Sequence, residues 1–134
     1  TGMKRAINRH HWDYPTLRAL LKDPESHTSQ VLTALKKRIR LRGKQPAFHP
    51  NATQFTLQID DRLFGVWRQS LDRDQSIFAL HNVSDEEVEL DPAVLNLIDG
   101  DTWTDLISGE TIPVTGGYPI EFAPYQSRWI SNRA

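Results

Sequence analysis

The sequence contains no cysteine, and this absence excludes several kinds of chemistry at once. Disulfides, thiolate nucleophiles and cysteine-ligated zinc are all ruled out. A chain without cysteine fits a reducing compartment, so we expect the protein to be cytoplasmic. Lys4, Arg5 and Arg9 are followed by polar residues rather than by an apolar stretch, and we therefore expect no secretory signal peptide.

Long hydrophobic runs are missing as well. No apolar stretch approaches the ~20 residues that a membrane-spanning helix needs, so no membrane partner is expected. Hydrophobic residues make up 38% of the chain and charged residues 25%, which is typical of a globular protein. A length of 134 residues is enough to bury one sizeable core.

Acidic residues are scarce in the first part of the chain and common in the rest. Residues 1–50 carry 11 Lys and Arg against 3 Asp and Glu, whereas residues 51–134 carry 5 against 14. Such asymmetry indicates two structural parts. Gly43 can end a helix and Pro46 prevents it from restarting, so we place the division between residues 1–43 and residues 44–134.

The first part has the pattern of two α-helices. Asp13 or Thr16 can cap a short helix, which the Asp23-Pro24 pair then ends. A second helix begins at Ser26 or Thr28. Spacings of three and four residues predict that its apolar stripe consists of Val31, Leu32, Leu35 and Ile39.

A basic run, from Lys36 to Lys44, lies at the end of the second helix. Nucleic-acid binding is one interpretation of such a run. The part of the chain that follows is acidic, however, and it lacks the interleaved exposed aromatic residues of a nucleic-acid surface. We interpret the run as a solvated helix end whose cations complement the helix dipole, and we expect no nucleic-acid partner.

The second part alternates with a period of two, which predicts β-strands. Turn residues such as Asp60-Asp61, Asp72-Arg73-Asp74 and Gly116-Gly117 separate short runs of alternating hydrophobicity. The pattern predicts a mainly β fold, an antiparallel β-sandwich or rolled sheet preceded by the two α-helices. The predicted core residues are Phe55, Leu57, Phe64, Val66, Ile77, Ala79, Leu106 and Ile120.

The β part offers no pattern typical of a catalytic centre. Its carboxylates between Asp85 and Asp91 are expected on a solvated edge. Five aromatic residues could stack on sugar rings if they were exposed, although core positions are more usual for them. These are Trp67, Trp103, Tyr118, Tyr125 and Trp129. A free-standing carbohydrate-binding module therefore stays open as an alternative, and it would present at least two aromatic residues in an exposed row.

Five histidines are present, and their spacing does not indicate a metal site. His10 and His11 are adjacent, so on a regular element they point in different directions. Nothing near them in the sequence supplies further ligands. We expect neither a metal ion nor a cofactor.

Two stretches of the chain resemble a known enzyme family. The opening, Thr1 to Tyr14, contains Arg-Ala-Ile-Asn-Arg-His and resembles the G-R-x-I-N-R-H segment near the end of the catalytic barrel in sucrose phosphorylases and related members of glycoside hydrolase family 13. The stretch from Trp103 to Glu110 (W-x-D-L-x-S-G-E) and the stretch from Ala123 to Trp129 (A-P-Y-Q-x-x-W) resemble the last strands of that family's C-terminal β domain. His11-Trp12 differs from many relatives, which carry tyrosines there.

The resemblance implies that this chain is the C-terminal part of an α-amylase superfamily enzyme. Residues 1–43 would be the last helices of a (β/α)8 catalytic barrel and residues 44–134 the C-terminal β domain. The two catalytic carboxylates of such a retaining enzyme come from barrel strands, so no catalytic residue is expected in this chain. The implied partners are the barrel of the same parent chain and, in the parent, an α-glucoside such as sucrose together with phosphate. Without the barrel, the helices would be exposed or would self-associate.

Arg9 is the candidate substrate-binding residue. By resemblance it matches the arginine at the closed end of the glucosyl pocket, where a guanidinium can pair with a carboxylate and donate to a sugar hydroxyl. Asn8 and His10 would support it. These roles apply to the full-length parent, and a surface arginine before a helix is the alternative interpretation.

Overall fold

The computed structural model describes residues 10–97, 102–114 and 116–133. Two compact units are present, Thr1–Ile39 and Arg40–Ala134. The first is helical, and the second consists almost entirely of β-strands and their connections. The predicted fold class, a mainly β structure preceded by two helices, is confirmed.

Helix α1 spans Tyr14–Lys22 and helix α2 spans His27–Gly43. Asp13, rather than Thr16, caps α1, because its carboxylate accepts a hydrogen bond from the Thr16 amide at 3.2 Å. The Ser26 hydroxyl accepts a hydrogen bond from the Ser29 amide at 3.1 Å and so satisfies a free amide at the start of α2. The predicted helix limits at Asp13, Ser26 and Gly43 are therefore confirmed.

The apolar stripe of α2 lies largely at the surface of this chain, which agrees with the expectation that the helices are exposed without a barrel. No residue of α1 or α2 is fully buried. Val31, Leu35 and Ile39 are 52%, 52% and 60% exposed. Their spacing still places them on one face of the helix, which is the arrangement of a helix that packs on a partner.

Eight strands follow within the described part of the chain. They are β1 (Thr53–Asp60), β2 (Leu63–Gln69), β3 (Ser76–Asn82), β4 (Val88–Leu90), β5 (Trp103–Asp105), β6 (Thr111–Ile112), β7 (Ile120–Phe122) and β8 (Ser127–Ser131). Short 3₁₀ helices occupy Pro46–Phe48 and Pro92–Leu95. The six-stranded sheet has the order β1-β2-β3-β8-β5-β6, and β4 pairs with β7 in a two-stranded sheet. All the pairings are antiparallel.

The inner face of the large sheet packs against the small sheet. Phe78, Leu80 and Ile130 from the large sheet share one buried cluster with Val88 and Phe122 from the small sheet. Burying such aliphatic and aromatic side chains contributes roughly 1.5 to 3 kcal/mol each. This cluster is the main core of the β unit.

The outer face of the large sheet is covered by the segment that enters the β unit. Ile77, Ala79 and Trp129 pack with Ala47 of the first 3₁₀ helix in a second buried cluster. Leu41, Phe48, Val66, Leu106 and Ile107 are partly buried against it.

Two predicted core residues lie at the surface instead. Phe55 is 54% exposed and stacks on Trp67 with ring centroids 5.4 Å apart. Phe64 is 52% exposed and stacks on His81 at 6.1 Å. Phe55 is paired with Trp67, and Phe64 lies three residues from Trp67 on β2, so the two phenylalanines are on opposite faces of the sheet.

Candidate functional site

The residues predicted to bind substrate lie at the start of the chain. Asn8 and Arg9 are outside the described residues, so their roles stay predictions. His10 is exposed, and its ring stands edge-on to the Trp12 ring with centroids 4.9 Å apart. Asp13 then starts α1. The described end of this segment is thus the start of a helix.

The W-x-D-L-x-S-G-E stretch is a structural turn built on Asp105. This carboxylate is fully buried and accepts hydrogen bonds from the Ile107 amide (3.1 Å), the Ser108 hydroxyl (2.8 Å) and the Trp129 amide (2.9 Å). A buried charge needs such partners because water cannot solvate it. Gly109 has a φ of 82°, a left-handed conformation that favours glycine. Asp105 is fully engaged in holding the turn and is not available as a catalytic acid or base.

Arg128 completes the network around this turn. Its side chain is largely buried, and Nη1 lies 2.7 Å from the Glu110 carboxylate and 3.6 Å from that of Asp105. Nε donates to the Glu121 carbonyl at 2.9 Å. Sequence reasoning missed this network, because charged residues in β-strands are usually solvated and the alternation pattern shows nothing of their partners.

The A-P-Y-Q-x-x-W stretch also has a structural explanation. Tyr125 has a φ of 57°, and the Gln126 side chain accepts a hydrogen bond from the Ala123 amide at 2.8 Å. These features turn the chain between β7 and β8. Trp129 then points to the outer face, where its ring meets the Phe48 ring at 5.0 Å.

Polar side chains fasten the incoming segment to the outer face of the sheet. Arg68 donates through Nε to the Ala47 carbonyl at 3.0 Å and through Nη2 to the His49 carbonyl at 2.6 Å. The Gln75 side chain, which is 1% exposed, accepts from the Ala47 amide at 3.0 Å and donates to Gln45 at 2.7 Å. Phe64 and His81 lie on the same outer face of the sheet, outside the part that the incoming segment covers. Their stacked rings form an aromatic surface there, and Phe64 is exposed to solvent.

Two carboxylates of the β unit have lowered pKa values. Hydrogen bonds from the Arg62 side chain and amide lower the pKa of Asp60, and the same pairing raises the pKa of Arg62. Arg62 also reaches Glu86 at 3.1 Å, which ties the β1–β2 turn to the segment before β4. The Ser70 hydroxyl and the Asp74 amide lower the pKa of Asp72. Asp60 lies beside the β1–β2 turn and Asp72 lies in the turn before β3, where such pairs hold the chain in place.

The aromatic residues that could meet sugar divide into two groups. Trp103 and Trp129 are buried, and Trp67 is half-buried against the main core. Tyr118 and Tyr125 are exposed in separate loops. With Phe55 and Phe64 on opposite sheet faces, these side chains do not form the exposed row that a free-standing carbohydrate-binding module would present. Within the described ranges, no cluster of three His, Asp or Glu side chains could hold a metal ion.

Among the described residues, no helix combines the length and apolar character needed to cross a membrane.

Comparison with known proteins identifies relatives along almost the whole chain, although no family model matches it. The chain is 31% identical over 130 residues to a glucosylglycerate phosphorylase of Allomeiothermus silvanus and 32% identical over 138 residues to one of Spirochaeta thermophila. These matches cover 97% and 98% of this chain but 20% and 24% of the relatives. The chain thus spans about a fifth to a quarter of the length of the curated relatives it matches.

Solved structures show the same fold. The structure of AmyP in complex with maltose superposes with a TM-score of 0.64 at 16% identity, over 79% of this chain and 21% of the other. An α-amylase from Anoxybacillus superposes with a TM-score of 0.60 at 17% identity, over 81% of this chain and 23% of the other.

Most of this chain therefore has the fold of a part of these two larger proteins. The chain is thus similar to one segment of glucosylglycerate phosphorylases, which agrees with the resemblance of its opening and closing motifs to a family of larger enzymes.

Proposed function

We propose that this chain is the C-terminal, accessory and stabilising part of an α-glucoside-active enzyme. In this proposal residues 1–43 are the last helices of a (β/α)8 catalytic barrel, and residues 44–134 form the β domain that supports it. The main support is the similarity along 97% to 98% of this chain to glucosylglycerate phosphorylases, in which it accounts for only 20% to 24% of the length.

Each unit has a surface that suits a role as part of a larger protein. In the helical unit, Val31, Leu35 and Ile39 form an exposed apolar face, which solvent-facing helices normally avoid. In the β unit, the outer sheet face is half covered by the incoming segment, and Phe64 with His81 extends it. Packing of both surfaces on a catalytic barrel would remove this apolar area from water.

The β unit supports a stabilising role rather than a catalytic one. Its buried carboxylate, Asp105, is committed to three hydrogen bonds, and the exposed Glu110 is ion-paired with Arg128. Retaining glycoside hydrolysis needs a nucleophile and an acid/base about 5 Å apart on either side of the scissile bond. We assign both to the barrel of the parent.

For the parent we propose glucosyl transfer with retention, through a covalent glucosyl-enzyme that phosphate then intercepts. Sucrose is the donor suggested by the opening motif, and the names of the matched relatives add glucosylglycerate as a second candidate. In this scheme Arg9 lies at the closed end of the glucosyl pocket, with Asn8 and His10 supporting it. The expected compartment is the cytoplasm.

The experiment is to read and express the coding sequence upstream of Thr1 together with this chain. We expect the longer protein to consume phosphate and release glucose 1-phosphate from sucrose or glucosylglycerate. Removing residues 44–134 from it should lower its melting temperature or solubility, as expected for loss of a stabilising domain. A longer protein that lacks this activity, or whose stability is indifferent to the truncation, would contradict the proposal.

A further inference from the structure

A cleft of about 310 Å³ opens beside the start of β7. Its walls include the Tyr118 ring, the prolines Pro113 and Pro119, and the charged residues Glu110, Glu121 and Arg128. This volume is at the small end of the range of ligand pockets, roughly 300 to 1,000 Å³. A single sugar unit or a disaccharide is small enough to fit a cleft of this volume.

The charged wall of the cleft is held rigidly. Arg128 is only 8% exposed and is fixed by the Glu110 carboxylate at 2.7 Å and the Glu121 carbonyl at 2.9 Å. In contrast, no hydrogen bond joins the Glu121 carboxylate to another described residue, and Glu110 uses only one carboxylate oxygen for Arg128. The cleft therefore offers free acceptors beside an anchored cation.

The aromatic wall is positioned by a glycine. Tyr118 is 66% exposed, and a Cβ built on Gly116 would lie 3.0 Å from Cε2 of its ring. Gly116 has a φ of 100°, which also favours glycine. The ring thus rests against the Gly116 backbone, and its hydroxyl makes no hydrogen bond to another described residue.

From these features we propose that the cleft binds a neutral pyranose sugar, with one face of the sugar ring on Tyr118 and its hydroxyls on Glu110 and Glu121. An anion is disfavoured, because two carboxylates, those of Glu110 and Glu121, line the cleft together with a single arginine. A cation is disfavoured by Arg128 in the wall. A polyol with an apolar face matches the aromatic ring, the prolines and the free acceptors. The site goes beyond the proposed stabilising role and does not depend on it.

The test is a titration of the ¹⁵N-labelled 134-residue chain with maltose. The titration is monitored by the NMR spectrum of the amide groups of the chain. We expect saturable shifts confined to residues 110–113 and 116–121 and to the Arg128 side chain. Tyr118→Ala should weaken binding by about tenfold, because a stacked aromatic contact is lost. Tyr118→Phe keeps the ring and should retain most of the affinity.

Tyr125→Ala is the matched control, because this tyrosine is 68% exposed but lies outside the cleft. It should bind maltose like the unaltered chain. Sodium phosphate and tetramethylammonium chloride serve as an anionic and a cationic probe, and neither should saturate the cleft. The proposal is overturned if the maltose shifts rise linearly without saturation, if both alanine variants lose binding equally, or if a charged probe saturates the cleft instead.

Discussion

The Phe48 ring stands edge-on to the Trp129 ring with centroids 5.0 Å apart. This contact joins the segment that enters the β unit to its last strand, 81 positions later in the chain. It covers the outer face of the sheet, where Ile77 and Ala79 are buried. The incoming segment thus covers part of this face, while Phe64 on the same face is exposed.

Replacing Trp129 with alanine should destabilise the β unit strongly. The side chain is 9% exposed, and removing a buried tryptophan typically costs about 3 to 5 kcal/mol. Phe64→Ala is the control on the same face; because Phe64 is 52% exposed, about 1 kcal/mol or less is expected. Urea unfolding monitored by circular dichroism measures both. Similar losses in the two variants would show that the outer face is not organised as described.

Acidification should weaken the β unit through Asp60 and Asp72. The pKa values of both are lowered from 3.8, by Arg62 and by Ser70 respectively. A carboxylate with a lowered folded-state pKa adds stability that is complete above the unfolded-state pKa and is lost as the pH falls through the folded-state value. The free energy of unfolding should therefore decline below about pH 4. Asp60→Asn should flatten part of this decline, and an unchanged slope would count against the Asp60–Arg62 pairing.

The isolated chain should self-associate through its helices. Val31 and Leu35 are each 52% exposed on one face of α2, and contacts between copies would remove them from water. Sedimentation velocity should show a larger species that grows with concentration and is absent in the Val31→Ser, Leu35→Ser double variant. Leu71→Ser with Val83→Ser is the control, since these residues are as exposed but lie in the β unit. A monomer at every concentration would mean that the helical face needs no partner.

Arg9→Lys should impair catalysis in the full-length parent. Lysine keeps the charge but loses the planar fork that can pair with a carboxylate and a sugar hydroxyl together. Loss of one such buried contact costs about 2 to 5 kcal/mol, which corresponds to a fall of roughly 30-fold to several-thousand-fold in kcat/KM. The melting temperature should change little. Near-normal turnover by a stably folded variant would make Arg9 a surface residue.

The strand limits were predictable where alternation and turn chemistry agree. The predicted turns at Asp60-Asp61 and Asp72-Arg73-Asp74 are those that bound β2, because acidic turn residues bracket regular alternation on both sides. The core positions of Phe55 and Phe64 were not predictable in the same way. Alternation identifies the two faces of a strand, but it does not tell how far along the sheet each face is covered.

Two further features could not be predicted from local sequence patterns. The stripe of α2 has the periodicity of a buried helix, yet whatever would cover Val31 and Leu35 is not part of their local sequence. The Asp105–Arg128 network depends on residues 23 positions apart that only the β5–β8 pairing brings together. The family resemblance marked Asp105 but not Arg128, and it did not give the physical reason, which is the closure of a turn around a buried carboxylate.

The central claim is that this chain supports a catalytic barrel and has no catalytic centre of its own. The most direct measurement compares phosphate-dependent release of glucose 1-phosphate by the purified 134-residue chain and by the protein that includes the upstream coding sequence. With sucrose and glucosylglycerate as donors, we predict turnover by the longer protein and none by the chain alone. Turnover by the 134-residue chain itself would contradict the account.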